Sequence, residues 1–191
     1  MATRGDEFSN PTGGQRLIMR QTAADTGGTL LEMEATYAPG GASPPPHAHP
    51  QQQERFTMLS GAMRVRISGR EHLLTAGEVL VIPADTPHTM WNDGDDVACF
   101  RWEVRPALRT EDFFAHLYGL AGQNGRPPLL PLAALFRTYR DEFRLAAATH
   151  RLLFGLLGML ARWRGSDFRL TPSASQQSPP MAKRGHNQSG A

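Results

Sequence analysis

Between Gln15 and Val104, apolar residues fall on every second position in short runs, and polar turn residues, glycine or proline close most of these runs. Leu31, Met33, Ala35 and Tyr37 alternate with Glu32, Glu34 and Thr36. Met63, Val65 and Ile67 alternate with Arg64 and Arg66, and Ser68-Gly69 then turns the chain back into His72-Leu73-Leu74. A period of two sends one face of each run to a core and the other to water, the pattern of a half-buried strand. Leu17 to Met19, Glu78 to Ile82, Thr89 to Trp91 and Val97 to Val104 add further strands. About seven or more short strands at this spacing predict an all-β, antiparallel fold, a sandwich or a barrel of the jelly-roll type.

The texture changes after Pro106. Thr110 precedes Glu111 and Asp112, acids suited to the first turn of a helix, and Phe113, Phe114, Leu117 and Leu120 fall on one helical face. Pro127-Pro128 opens a second helix carrying Leu132, Leu135, Phe136 and Tyr139, and a third runs from about Leu145 to Trp163. The chain is therefore read as a flexible N-terminal arm (1–14), a β-barrel (15–106), a C-terminal helical extension of about three helices (107–166) and a disordered tail rich in Ser, Gln, Pro and Gly (167–191).

Bulk properties remove several functions. A formal net charge of +2 is too small to argue for nucleic acid or an anionic membrane. The single cysteine, Cys99, permits no intramolecular disulfide and is read as a structural thiol. Met1 to Glu7 lacks the apolar core of a signal peptide. The apolar run Leu152 to Ala161 is far short of the ~20 residues that span a bilayer. These features predict a soluble cytoplasmic protein with no transmembrane segment.

The chemistry concentrates in two stretches. In the first, His47 and His49 are two residues apart, on the same side of an extended chain, with Cα atoms roughly 6.6 Å apart. Their imidazoles can converge on one ion, and Glu54 follows with an anionic oxygen. In the second, His88 comes just after a Pro-bounded turn on a strand able to return past the first stretch. Three neutral imidazoles and one carboxylate suit one divalent transition metal, Fe, Mn, Ni, Cu, Co or Zn, and leave two positions open on a six-coordinate ion. His72, His116, His150 and His186 have no partners at useful spacing and are read as surface or packing residues. Phe56 and Met58 share the face of Glu54. Phe100, Trp102 and Val104 are expected to point inward, with Arg101 and Glu103 outward. Gln51 to Gln53 read as a polar loop.

These residues resemble the cupin superfamily. Gly41, His47, His49, Glu54 and Gly61 fit G-x5-H-x-H-x4-E-x6-G at every fixed position. Gly77, Pro83, His88 and Asn92 fit G-x5-P-x-G-x2-H-x3-N except at Asp85, where the family usually has glycine. Asp tolerates the positive φ that such a turn asks for. The resemblance covers about residues 40 to 105 and extends to small single-domain bacterial cupins, including quercetin-dioxygenase-like ones. It implies a metal held by His47, His49, Glu54 and His88, with Glu54 also serving as a catalytic base.

Related barrels host dioxygenases, isomerases, lyases, cyclases and binding modules, so the fold does not choose a reaction. The leading expectation is a metal-dependent, dioxygenase-like enzyme acting on a small oxygen-rich or aromatic molecule. The alternatives are a non-redox cyclase or isomerase, and a non-catalytic binding or sensing cupin. The third helix is apolar on more than one face, with Phe154 and Met159 off the main leucine stripe. Gly155 and Gly158 permit close helix packing, which favours a homodimer over a membrane contact rimmed by Arg151, Arg162 and Arg164.

Overall fold

The structure is a computed structural model describing residues 2–10, 13–41, 43–121 and 127–163. In chain order its elements are β1 (Glu7–Asn10), β2 (Gln15–Gln21), β3 (Leu31–Tyr37), β4 (His47–Ala48), β5 (Gln53–Ser60), β6 (Ala62–Ile67), β7 (Arg70–Thr75), β8 (Val79–Ile82), β9 (His88–Trp91), β10 (Ala98–Arg105), α1 (Thr110–Ala121), α2 (Leu129–Thr138), β11 (Arg144–Leu145) and α3 (Ala148–Trp163). The strands form two antiparallel sheets, β1-β2-β3-β10-β5-β8 and β11-β4-β9-β6-β7. This is the expected all-β, jelly-roll arrangement with three appended helices.

Alternation builds the core. Leu31, Met33, Ala35 and Tyr37 are buried from β3, Phe56 and Met58 from β5, and Ala98, Phe100, Trp102 and Val104 from β10. These sets meet across the register Phe100↔Ala35, Trp102↔Met33 and Trp102↔Phe56. Arg101 is exposed, and Glu103 lies half-buried beside Arg55 and Arg105. The apolar set of β10 therefore faces in, as the alternation predicts.

Two stretches differ from the sequence expectation. Part of the segment read as an arm is a strand, with Glu7–Asn10 paired to β2 and Glu7 bound to Arg16. A short polar strand at the edge of a sheet has too few apolar residues to show a period. The extension is also not helical throughout. Between α2 and α3 the chain returns to the barrel as β11, pairing Leu145 with His47 and Arg144 with Ala48. Residues 167–191, read from sequence as a disordered tail, lie outside the described residues.

α3 leans on α2 through Phe154, whose ring is 5.5 Å from that of Phe136, and through Gly158, where an added Cβ would lie 3.4 Å from the Ala133 carbonyl. The leucines read as its main stripe are split by this packing. Leu152, Leu153 and Leu156 stay exposed, while Leu157 and Phe154 are half-buried. Cys99 is half-buried on β10, and burial raises its thiol pKa, which fits an unreactive structural thiol.

Candidate metal centre

Both sheets contribute to the site. His47 on β4 stands directly opposite His88 on β9, and Glu54 comes from β5 in the facing sheet, opposite Ile82 and Val104. His49 lies just past β4, in a turn where its carbonyl accepts the amide of Asp85 at 2.8 Å. Asp85 has φ 58°, the conformation expected where the family pattern has glycine. Its carboxylate also pairs with Arg144, so this departure from the pattern ties the ligand turn to β11.

The four residues named from the sequence meet in one place. The ligand nitrogens of His47, His49 and His88 lie within 4.8 Å of one another. His49 Nε2 is 3.2 Å from Glu54 Oε1, and His88 Nε2 is 2.9 Å from Glu54 Oε2. All four side chains are buried.

The outer nitrogens define what the inner ones can do. The Nδ1 atoms of His47, His49 and His88 lie 2.9, 2.6 and 2.9 Å from the carbonyls of Pro45, Glu142 and Thr86. A carbonyl only accepts, so each Nδ1 carries the proton, and each neutral ring turns an Nε2 lone pair inward. Those lone pairs face a carboxylate that also only accepts. His88 Nε2 lies 2.9 Å from Glu54 Oε2, yet with every Nδ1 protonated neither His49 Nε2 nor Glu54 Oε2 has a hydrogen-bond partner. Buried acceptors facing one another are costly unless a cation lies between them. The donor set thus fits a divalent transition metal, with every imidazole oriented from behind by a carbonyl.

The electrostatics agree. Burial, reinforced by the neighbouring His49 and His88, pushes the pKa of His47 down to about 3 and keeps that ring neutral. Burial works to raise Glu54, but His49, His88 and His47 together hold it at about 2, so the carboxylate is ionised. His88 is lowered by burial but raised more by the Glu54 carboxylate beside it, and the net direction is up.

Several site residues were not foreseen. Trp102 Nε1 donates to Glu54 Oε1 at 3.1 Å and fixes the rotation of the carboxylate. Phe143 stacks on His47 with ring centres 4.6 Å apart. Gln52, read as part of a polar loop, is buried, and its amide nitrogen lies 2.9 Å from the Pro106 carbonyl and 2.7 Å from Thr110 Oγ1. It locks the ligand loop to the start of α1. Inward alternation marks Trp102 in advance, but no sequence period marks Glu142 or Phe143. His116, read as a surface or packing residue, contacts the Tyr139 hydroxyl at 2.8 Å.

Above the site is a cavity of about 420 Å³. Its walls include Phe56, Met90 and Trp102 from the barrel and Phe113, Leu132 and Phe136 from the extension. The four candidate ligands line it as well, with Gln15, Tyr37 and Tyr118.

The cupin-domain family model matches residues 33–102, which hold both motifs and all four candidate ligands. Germin-like protein subfamily T member 2 of Arabidopsis thaliana is 31% identical over 115 residues, 56% of this chain and 48% of that protein. An oxidoreductase of Arthrobotrys oligospora is 43% identical over 109 residues, 50% of this chain and 43% of that protein. Quercetin 2,3-dioxygenase of Bacillus subtilis is 25% identical over 127 residues, 66% of this chain and 36% of that enzyme. The chain spans less than half the length of each of these relatives. The matched motifs lie on two facing antiparallel sheets, and residues 33–102 of this chain form a cupin domain.

Proposed function

We propose that this chain is a metal-dependent enzyme of dioxygenase-like chemistry, acting on a small organic molecule in the cavity above His47, His49, Glu54 and His88. The observation that carries the reading is the set of inward lone pairs at the floor of an apolar cavity. When bound, one divalent metal (Fe, Mn, Ni, Cu, Co or Zn) supplies Lewis-acid activation and, if redox-active, a path for electrons between substrate and oxygen. The four ligands leave room for exogenous oxygen donors. Glu54, held on Oε1 by Trp102, offers Oε2 as the proton acceptor for an arriving substrate hydroxyl. The aromatic walls exclude water and fix the substrate's orientation. Two relatives named as an oxidoreductase and a dioxygenase favour oxidation over isomerisation.

The test is direct. Protein purified without a histidine tag is analysed for metals, then supplied with small enolic and phenolic compounds while oxygen is followed with an electrode. Near-stoichiometric metal with substrate-dependent oxygen uptake supports the reading. Metal-dependent turnover without oxygen uptake replaces it with a cyclase or isomerase, and a metal-bound chain inert to every compound points to a binding module.

We also propose that the chain is a homodimer through α3. Leu152, Leu156 and Met159 are exposed along one face, and an added Cβ at Gly155 on that face meets nothing within 4 Å. Such a stripe, with a small residue at its centre, permits close approach of a second helix.

A further inference from the structure

We infer that the site selects a flat, ring-bearing molecule that presents two adjacent oxygens carrying a single negative charge, such as an enolised β-diketone or an ortho-hydroxy ketone. The inference rests on the metal reading above and concerns which ligand that site accepts.

Charge comes first. Three neutral imidazoles, one carboxylate and a divalent ion sum to one positive charge. Among the described residues that line the cavity there is no arginine, lysine or aspartate. One negative charge on the ligand therefore neutralises the site. A dicarboxylate or phosphate ester leaves surplus negative charge in a low-dielectric space with no cation to meet it, which is costly.

Hydrogen-bonding capacity comes second. Apart from the four ligands, polar side chains on the wall are limited to Gln15, Tyr37, Tyr118 and the Trp102 indole. The indole is committed to Glu54, and the Tyr118 hydroxyl donates to Gln15 Oε1 at 3.2 Å. Serine, threonine and asparagine are absent from the described lining. A polyol would bury hydroxyls without partners here, at a cost for each.

Shape comes third. Phe143 lies nearly parallel to three neighbouring rings: His47 at 4.6 Å and 21°, Phe136 at 4.9 Å and 19°, and Phe113 at 5.2 Å and 21°. This array of flat faces begins at a candidate ligand and leads away from it along the cavity wall. A planar guest chelating through its oxygens can lay its ring along the apolar wall these residues form. Phe113, Phe136 and Phe143 all belong to the extension, so ring selection is a property of the helices added to the cupin domain.

The test uses cobalt(II)-loaded full-length protein under argon. Four probes are titrated while the cobalt visible spectrum is followed: benzoylacetone, acetylacetone, oxalate and galacturonate. A desalting step confirms that cobalt stays on the chain. Benzoylacetone is expected to bind roughly tenfold or more tighter than acetylacetone, because the two share a chelating group and differ in a buried ring. Oxalate and galacturonate are expected to bind more weakly than either. Phe136→Ala, in the array but not against a candidate ligand, is expected to lower the ratio of benzoylacetone to acetylacetone affinity. The inference is overturned if oxalate or galacturonate binds as tightly as benzoylacetone, if the ring adds nothing, or if Phe136→Ala weakens both diketones equally. A chain that retains no cobalt overturns the metal reading and this inference with it. Cobalt retained with an inverted probe order overturns the inference alone.

Discussion

The Nδ1 proton of His49 is held by the main-chain carbonyl of Glu142, 2.6 Å away and 93 residues later in the chain. Arg109 fixes that carbonyl in turn. Its guanidinium reaches both carboxylate oxygens of Glu142, at 2.9 and 3.2 Å, and its Nη2 donates to the Thr138 carbonyl at 2.9 Å. The candidate metal centre is thus braced by a segment beyond the cupin domain. Outer partners of metal-bound histidines typically alter metal affinity by about 10- to 100-fold. Arg109→Ala is expected to weaken metal binding by roughly tenfold in chelator competition, at the lower end of that range because the brace acts through backbone. Arg109→Lys should recover part of the loss. Unchanged affinity in Arg109→Ala would show that the barrel alone orients His49.

Trp102 and Glu54 make a second testable pair. The indole donates to Oε1, and Oε2 faces His88. Trp102→Phe keeps the ring and removes the donor, leaving a buried carboxylate oxygen without that bond, a change typically costing about 1–3 kcal/mol. We expect lower thermal stability in the metal-free protein, together with a shifted visible spectrum in the cobalt form because the carboxylate is free to rotate. A stability loss with an unchanged spectrum would restrict Trp102 to a packing role.

The two halves of the molecule were not equally readable from sequence. The barrel was legible because a period of two over β3, β6 and β10 leaves no other fold that buries Met33, Val65 and Phe100. His47, His49, Glu54 and His88 could be picked out because they stand at the fixed positions of two motifs that resemble the cupin pattern. β11 was not legible. It has two residues, too few for any period, and its pairing to β4 is a long-range contact. The ring array of Phe113, Phe136 and Phe143 was hidden for a related reason. Each phenylalanine looks like ordinary core, and only the fold brings them together over His47.

β11 also bears on where the chain can be cut. A chain ending near Pro106 keeps the four candidate ligands but loses the Glu142 carbonyl, the Phe143 ring and the strand beside His47. It also exposes the edge of β4 and the face of Trp102 that packs on Phe114. We expect this truncated chain to bind metal far more weakly than the full chain and to aggregate. A soluble truncated chain with full metal affinity would mean that the extension serves the cavity alone.

Acid should destabilise the metal-free protein. His47 has its pKa depressed from 6.5 to about 3, so as pH falls below 6.5 the unfolded chain takes up a proton that the folded chain refuses. Stability is lost across that window. Glu54, held at about 2 against 4.5, adds a further loss as pH falls below 4.5. His88 acts in the opposite sense, since its raised pKa gives a contribution that is complete below 6.5 and fades as pH rises. Because the His88 contribution no longer changes below pH 6.5, the urea midpoint should fall between pH 6.5 and pH 4, chiefly through His47. His47→Phe should flatten that fall, and a flat profile in the parent protein would contradict the neutral, buried state assigned to His47.

The outer face of α3 determines the last expectation. Leu152, Leu153, Leu156 and Met159 are each more than half exposed. Burying one such side chain fully contributes roughly 1.5–3 kcal/mol, so four together can drive association when a matching surface is present. A second copy offers the same stripe in a two-fold arrangement, with Gly155 letting the helices approach. Light scattering should report a dimer for the full chain. Leu152→Glu with Leu156→Glu should give a monomer that still retains metal, because neither residue lines the cavity. A parent chain that is monomeric at every concentration tested would refute self-association through this helix.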